Sequence, residues 1–191
     1  MAESSSEVDI CNSALTLFGE ATIISIDPPD GTPAATVCAQ HYHKQRNAAL
    51  RAFPWGFAMK RAALNQLVAA PAWGFVKQYQ IPADCLRIWK ISHSSRTDWK
   101  REGDKLLTDL AAVSALYIAK ITDTNAFDAL FIDALAARVA ATVCIALSAK
   151  KTTAEMLWAL YKAKIDEAQE IDSQEGEPEE IDDDHEILTV R

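Results

Sequence analysis

Residues 126–148, AFDALFIDALAARVAATVCIALS, limit what this chain can fold into more than any other stretch. The segment is almost wholly apolar and long enough to cross a bilayer. Asp133 and Arg138 near its middle decide against that reading, with Asp128 close to one end. A central charge costs about 2.5–3.5 kcal/mol on insertion scales, whereas each Leu or Phe returns only about 0.3–0.6 kcal/mol. Alanine, the commonest residue here, is too small to offset the difference. The expectation is therefore no membrane insertion, but a long helix covered by protein on most sides. Ala129, Ala136, Ala137, Ala140 and Ala141 would let neighbouring backbones approach, while Phe127, Phe131, Leu135 and Ile145 supply bulk. Asp133 and Arg138 then need partners, within the same domain or on a neighbouring subunit.

The full chain of 191 residues is long enough for one domain or two small ones with a sizeable core. Its net charge of −8 is unevenly placed. Nine acidic residues and one basic residue lie from Asp172 onward and carry all of it, whereas residues 1–171 hold eighteen of each sign. The acidity belongs to a tail and says nothing of a charged cleft. MAESSSEVD at the start is polar and acidic and does not read as a secretory signal, so assembly in the cytoplasm is expected. Cys11, Cys38, Cys85 and Cys144 are widely spaced without a CxxC pair, which favours buried reduced thiols over a disulfide scaffold.

In chain order, Ser4-x-x-Glu7 has the form of a capping box before an apolar pattern at Val8, Cys11, Ala14, Leu15 and Phe18, and Gly19 is a natural stop. IISIDPPDGTP reads as a loop in which Asp30-Gly31 forms a turn, Thr32 an N-cap and Pro33 the first helical residue. A second helix is expected from Pro33 to Phe53, ended by Pro54. From Phe57 to Ile121 the pattern changes to short strand-like segments: FAMKRAAL, FVKQYQI, CLRIWKIS, WKREG, KLLTD and VSALYIAKI. Leu86, Ile88 and Lys90, like Leu116, Ile118 and Lys120, suggest half-exposed antiparallel strands. Trp55, Trp73, Trp89 and Trp99 gather in or beside this region, where core or interface packing explains them better than stacking on nucleic acid. Helix returns with Asp123 or Thr124 as its cap. A last helix, capped by a threonine of Lys151-Thr152-Thr153, carries Met156, Leu157, Leu160, Tyr161, Lys164, Ile165 and Ala168 at helical spacing.

The expected fold is thus α+β. A discontinuous helical bundle of about four helices (residues 1–56 and 122–171) carries an inserted small antiparallel β-rich region (57–121). A flexible acidic tail (172–191), disordered in isolation, follows.

No Walker loop, GxSxG, HExxH or dinucleotide fingerprint is present. His41, His43, His93 and His185 have no nucleophile partner indicated by spacing. Cys38 and His41, three apart, lack further ligands for a metal, and the run Asp182 to Glu186 reads as a solvated or partner-binding tail before a weak cation site. No catalytic, cofactor-binding or metal residue is assigned, and no cofactor is expected.

Several stretches taken together, over residues 7–171, resemble one family: ICNSAL, AATVCAQHYHKQRNAALRAFPWGFAMKRAAL, YQIPADCLRIWKI, GDKLLTD and LYIAKITDTNAFDALFIDALAARVA. In this order they are similar to the tail tubular protein A family of tailed bacteriophages, the head-to-tail adaptors of short-tailed phages and related prophages. The resemblance implies a non-enzymatic virion component at the head–tail junction, assembled in the host cytoplasm. It would form a ring, commonly a dodecamer and compatible with a monomer when free. Such a ring sits between the portal protein and the tail nozzle protein and continues the channel through which double-stranded DNA is ejected, without specific binding. Carried over by region, the portal contact falls on Met156, Leu157, Leu160, Tyr161, Lys164 and Ile165, with the tail beyond. The nozzle contact falls on Trp89, Trp99, Lys100 and Arg101.

The physics agrees with such a role. A small subunit can bury standard-sized interfaces on two ring neighbours, and heterologous contacts close when the rotation permits. A neutral-to-acidic lumen lets DNA slide without counterion-release attraction. The rival readings are a tail-associated cell-wall hydrolase and a nucleic-acid-binding module; the balanced charge of residues 1–171 does not encourage the latter.

Overall fold

The computed structural model describes residues 5–92, 99–148 and 150–175. The fold is α+β, with four α-helices and two antiparallel sheets among the described residues. The acidic segment 176–191, including the run Asp182 to Glu186, lies outside them, as do His93 and His185.

Helix α1 (Glu7–Thr16) starts at a capping box, but two residues later than Ser4-x-x-Glu7 suggested. Ser6 is the cap: its hydroxyl accepts from the Asp9 amide at 3.1 Å, and the Asp9 carboxylate accepts from the Ser6 amide at 2.8 Å. Both frames fit the pattern locally. What separates them is long-range, because Glu7 is needed by Arg46, whose Nη1 donates to Glu7 Oε1 at 2.9 Å from a nearly fully buried position. Gly19, at a φ of 80° that other residues avoid, turns the chain after the helix.

The loop before α2 (Pro33–Ala52) is organised by Asp30, which accepts from the amides of Ile24 and Thr32 and from the Thr32 hydroxyl. Thr32 caps α2 through its hydroxyl and Pro33 begins it, as the sequence pattern implied. The inward face of α2 is Ala35, Cys38, Tyr42, Arg46, Ala49 and Leu50.

The FPWGF corner then feeds an aromatic cluster. Trp55 and Phe57 stack, and both meet Phe131 edge-on at 5.1 Å, with Phe53 and Phe127 at the flanks. The Trp55 indole N–H donates to the Ala49 carbonyl, so the ring is buried without an orphaned donor.

Seven strands follow among the described residues: β1 (Met59–Ala63), β2 (Asn65–Gln66), β3 (Lys77–Gln80), β4 (Cys85–Ile91), β5 (Trp99–Glu102), β6 (Lys105–Thr108) and β7 (Ser114–Ala119). They form a three-stranded sheet in the order β1-β7-β4 and a four-stranded sheet in the order β2-β3-β6-β5. The two sheets enclose a core of their own, with Tyr79 and Leu106 from one and Ile88, Ile91, Ala115 and Tyr117 from the other. The opposite face of the three-stranded sheet meets the helices, where Ile118 is fully buried and Met59 and Leu86 pack beside it. Strand β7 therefore serves two cores, and its burial is nearly continuous along Tyr117, Ile118 and Ala119 where alternation was expected.

Strand β4 departs from alternation for another reason. Register shifts between Cys85 and Arg87 and between Ile88 and Lys90 make Cys85, Ile88 and Ile91 the inward residues, three apart. At the first shift the Leu86 carbonyl accepts from two arginines, Arg51 of α2 and Arg101 of β5, which ties the helices and both sheets to one backbone atom. Of the five tryptophans, the four in or beside the β-rich region lie in different surroundings. Trp55 is in the helical core, Trp99 leans on the sheet core, and Trp73 and Trp89 are exposed.

Asp123 caps a single 3-10 turn (Thr124–Ala126) rather than the long helix. Helix α3 (Ala129–Ser148) starts at Asp128, whose Oδ1 accepts from the amides of Leu130 at 2.8 Å and Phe131 at 3.3 Å. It is the one described helix long and apolar enough to cross a membrane, and half of its twenty residues are buried inside the protein. Ala136, Ala137, Ala140 and Ala141 let α1, α2 and α4 approach closely, but Ala129 and Ile145 are exposed, contrary to their expected roles in the core.

Helix α4 (Lys151–Gln174) has Lys150 at its cap position with no side-chain hydrogen bond, so neither Thr152 nor Thr153 caps it. Its start is fixed by Ala154 and Leu157 packing into the helical core. The helix also runs past residue 171, where the flexible tail was expected to begin. Asp172 accepts from the Gly56 amide at 3.0 and 3.2 Å, fastening the last turns of α4 to the corner after α2. Burial holds the Asp172 carboxyl above the usual range, against that hydrogen bond.

The four cysteines are free and buried. Cys11 and Cys38 face each other between α1 and α2, and a hydrogen bond between them together with burial pushes the Cys11 thiol well up.

Candidate interaction surfaces

The two charges that interrupt α3 both find partners within the chain. Asp133 pairs with Lys164 of α4 at 2.9 Å on the surface, a contact worth little by itself. Arg138 does more. Its Nε donates to Gln45 Oε1 of α2 and its Nη1 to the Tyr161 hydroxyl of α4, each at 2.9 Å. Its guanidinium lies 5.0 Å from the Tyr161 ring centre and 5.6 Å from that of Trp158. One side chain thus holds α2, α3 and α4 together.

That arrangement sorts the six α4 residues expected to touch a partner. Leu157 and Ile165 are buried in the helical core, where they hold α4 in place. Leu160 and Tyr161 are half-buried and pack against the same core. Lys164 is engaged by Asp133. Met156, 73% exposed, faces outward, and so does Trp158, 40% exposed, which the helical spacing argument passed over. Exposed Ile145 on α3 adds to the apolar side chains of this helical hairpin.

On the β-rich part, Trp89 is 43% exposed with the Arg87 guanidinium 5.1 Å from its ring centre. Trp99 is half-buried against the sheet core. Lys100 is exposed and pairs with Glu102 at 2.8 Å. Arg101 is exposed but engaged within the chain, donating to the Gly103 and Leu86 carbonyls. Trp89 and Trp99 sit on different sheets.

Another surface escaped the reading of motifs. Residues 67–76, LVAAPAWGFV, join β2 to β3 without one charged or hydrogen-bonding polar side chain other than the Trp73 indole. Val68, Trp73 and Val76 are exposed, Trp73 at 85%. The loop is held at its ends and flank: the Leu67 amide donates to the Gln78 carbonyl, the Val76 amide to Asp109 Oδ1, and Gln78 Nε2 to the Ala69 carbonyl. The signal that could have found it was the unbroken apolar run itself, too short for a helix and set between two strands.

Three hollows lie on the β-rich part. A hollow of about 650 Å³ lies between this loop and the outer face of the four-stranded sheet, beside Gln78, Lys100 and Leu107. A second of about 620 Å³ is lined by Ala63, Leu64, Ile81, Pro82, Ala83 and Cys85, with Arg101 and Asp104. A third, about 260 Å³, lies beside Leu116 between Arg61 and Lys90. Cys85 lines the second beside Asp104 and Arg101, and Ser92 and Ser114 line the third beside Lys90, with the Ser92 hydroxyl oxygen accepting from the Ser114 amide at 3.0 Å. Among the described residues no three His, Cys, Asp or Glu side chains converge as a metal would require, and His41 stands apart from any such group beside Cys38. Asp84 of the β-rich part is half-buried. Partial burial works against its charge, but hydrogen bonds from Lys60 and Tyr117 outweigh it and hold the carboxyl low.

No protein-family model matches the chain, and no curated protein matches it in sequence.

Proposed function

We propose that this chain is a structural head-to-tail adaptor of a bacteriophage: a ring-forming subunit that joins a portal protein to a tail nozzle protein and continues the DNA channel between them. The observation that carries this reading is the division of exposed adhesive side chains between two parts with separate cores. Met156 and Trp158 stand out from α4 on the helical part, whereas Trp89 with Arg87, and Lys100, stand out from β4 and β5 on the β-rich part. Exposed aromatic, Met and Arg side chains are what protein interfaces favour. A protein with two such surfaces is suited to bridging two partners, and the resemblance of residues 7–171 to tail adaptors supplies their kind.

The portal surface in this proposal is the outward face of α4 centred on Met156 and Trp158, with Leu157 and Ile165 as its internal supports. The nozzle surface is centred on Trp89 and Lys100. Removing α4 altogether would not test the idea, because Ala154, Leu157, Ile165 and Ala168 would leave the core with it. The test is electron microscopy of the full chain mixed with the portal oligomer of the same phage or prophage. A ring of added density on the portal is expected for the natural chain, and its loss for Met156→Glu combined with Trp158→Glu. No density on the portal with the natural chain would overturn the reading.

A further inference from the structure

Between α1 and α2, two thiols and a phenol share one buried layer. Glu7 sets the register: from the first turn of α1 it meets Arg46 at 2.9 Å and His43 at 3.8 Å, both in the second half of α2. One turn further along α1 is Cys11, and two turns back along α2 is Cys38, so the helices run in opposite senses with these side chains between them. The thiols meet there, Cys11 donating to the Cys38 sulfur. Both are fully buried, and the two helices approach within 8 Å between Cα atoms, close to the about 4.4–6.8 Å that a disulfide spans. Tyr42 lies one turn beyond Cys38 on the same face of α2. Its buried hydroxyl is the one side-chain polar group among the described residues left without a hydrogen-bond partner.

We propose that Cys11 and Cys38 are a redox pair that closes to a disulfide between α1 and α2 in oxidising surroundings, with the Tyr42 hydroxyl as the donor that meets the attacking sulfur. The hydrogen bond from Cys11 holds the Cys38 thiol below the ordinary cysteine value in spite of burial, whereas that same bond, with burial, pushes Cys11 up. Cys38 is therefore the sulfur that ionises and attacks. Its thiolate gives the Tyr42 hydroxyl the acceptor it lacks. With hydrogen peroxide as the oxidant, the Cys38 thiolate attacks one oxygen, the O–O bond breaks, and the departing hydroxide takes up the proton that Cys38 lost, giving water. The Cys11 sulfur then attacks the sulfenic sulfur of Cys38, the S–O bond breaks, and the hydroxyl leaves with the Cys11 proton as a second water. Two thiols give up two electrons and two protons, and the peroxide accepts both.

A metal ion is the other use such a pair could have. Among the described residues no third His, Cys, Asp or Glu converges on the two thiols, which leaves a zinc site incomplete. Because the pair is buried, the oxidant reaches it when α1 lifts. That helix has ten residues and is tied outside its apolar face by the Glu7–Arg46 pair and by Asn12, whose carboxamide bonds the Ile23 amide and carbonyl. A closed pair would end that opening by fastening the first helix to the second. In a reducing compartment the thiols stay apart, and the staple forms on passage to an oxidising one.

The inference does not rest on the adaptor reading. It is tested on the full chain, purified reduced and then exposed to hydrogen peroxide at neutral pH. The intact mass is expected to fall by about 2 Da, the loss of two hydrogens. A non-reducing peptide map should join Cys11 to Cys38 and leave Cys85 and Cys144 open to alkylation. The melting temperature should rise by about 5–10 °C and fall back with dithiothreitol. Cys38→Ala, checked for folding by far-UV circular dichroism, should lose all three changes, and Cys85→Ala combined with Cys144→Ala should keep them. Tyr42→Phe retains the ring and should close roughly threefold more slowly at neutral pH, with its pH–rate profile displaced to higher pH. A mass that does not fall, a gain of oxygen in its place, or a link through Cys85, Cys144 or a second chain overturns the proposal. An unchanged profile in Tyr42→Phe overturns the part given to the hydroxyl.

Discussion

Arg138 bonds Gln45 on one helix and Tyr161 on another, with its planar face near two aromatic rings. Hydrogen bonds from a charged donor are among the stronger ones, and this group is half-buried. Arg138→Met keeps the length of the stem and removes both bonds, and should cost about 1–3 kcal/mol in urea unfolding. Combined with Tyr161→Phe it should show a coupling of about 0.5–3 kcal/mol; strict additivity would mean that the pair does not interact energetically. Asp30 offers a pH-dependent counterpart. The Ile24 amide first, then the hydroxyl and amide of Thr32, hold its carboxyl down to about 2. A carboxyl whose pKa is depressed on folding stabilises the fold above its unfolded value, near 3.8, and loses that contribution as the pH falls towards 2. The melting-temperature deficit of Asp30→Ala should therefore be constant from pH 7 to about 4 and shrink below it. A deficit that is unchanged at the lowest pH where the chain folds would show that the ionised carboxylate is not what organises the loop.

At the scale of elements, what could be read from the sequence was whatever local chemistry decides. Thr32 and Pro33 begin α2 because a hydroxyl cap and a fixed φ are local devices, and each strand-like run between Phe57 and Ile121 became a strand. The misreadings share one cause, a contact distant in sequence. Ser4 and Ser6 offer equivalent capping boxes until Arg46 claims Glu7. Asp123 and Asp128 both precede α3, and the intervening 3-10 turn, which sets Phe127 against Phe57 and Phe131, decides which of them caps it. Strand β4 alternates in its amino acids but not in space, since its shifts answer to Arg51 and Arg101 on two other elements. The candidate surface on α4 was half legible. Helical spacing groups Met156 with Leu157 and Leu160, but only the position of α3 says that Met156 and Trp158 point outward while Leu157 points in.

For the whole molecule, β7 is the seam. Ile118 belongs to the helical core, Ala115, Tyr117 and Ala119 to the sheet core, and Ile121 just beyond the strand touches both. Two cores sharing a strand should unfold together. Ile118→Ala, which should cost about 2–5 kcal/mol, is expected to shift the far-UV dichroism and tryptophan fluorescence transitions by the same amount. Two separated transitions would mean that each core stands alone. The discontinuity of the helical part also has a bearing on how the chain comes off the ribosome. Helices α1 and α2 emerge first with Ile10, Leu15, Tyr42 and Leu50 facing nothing, and the helix that covers them, α3, follows only after all seven strands. Throughout that interval the growing chain displays an unfinished apolar groove, so newly made copies crowded on one message are more exposed to mispairing than finished ones.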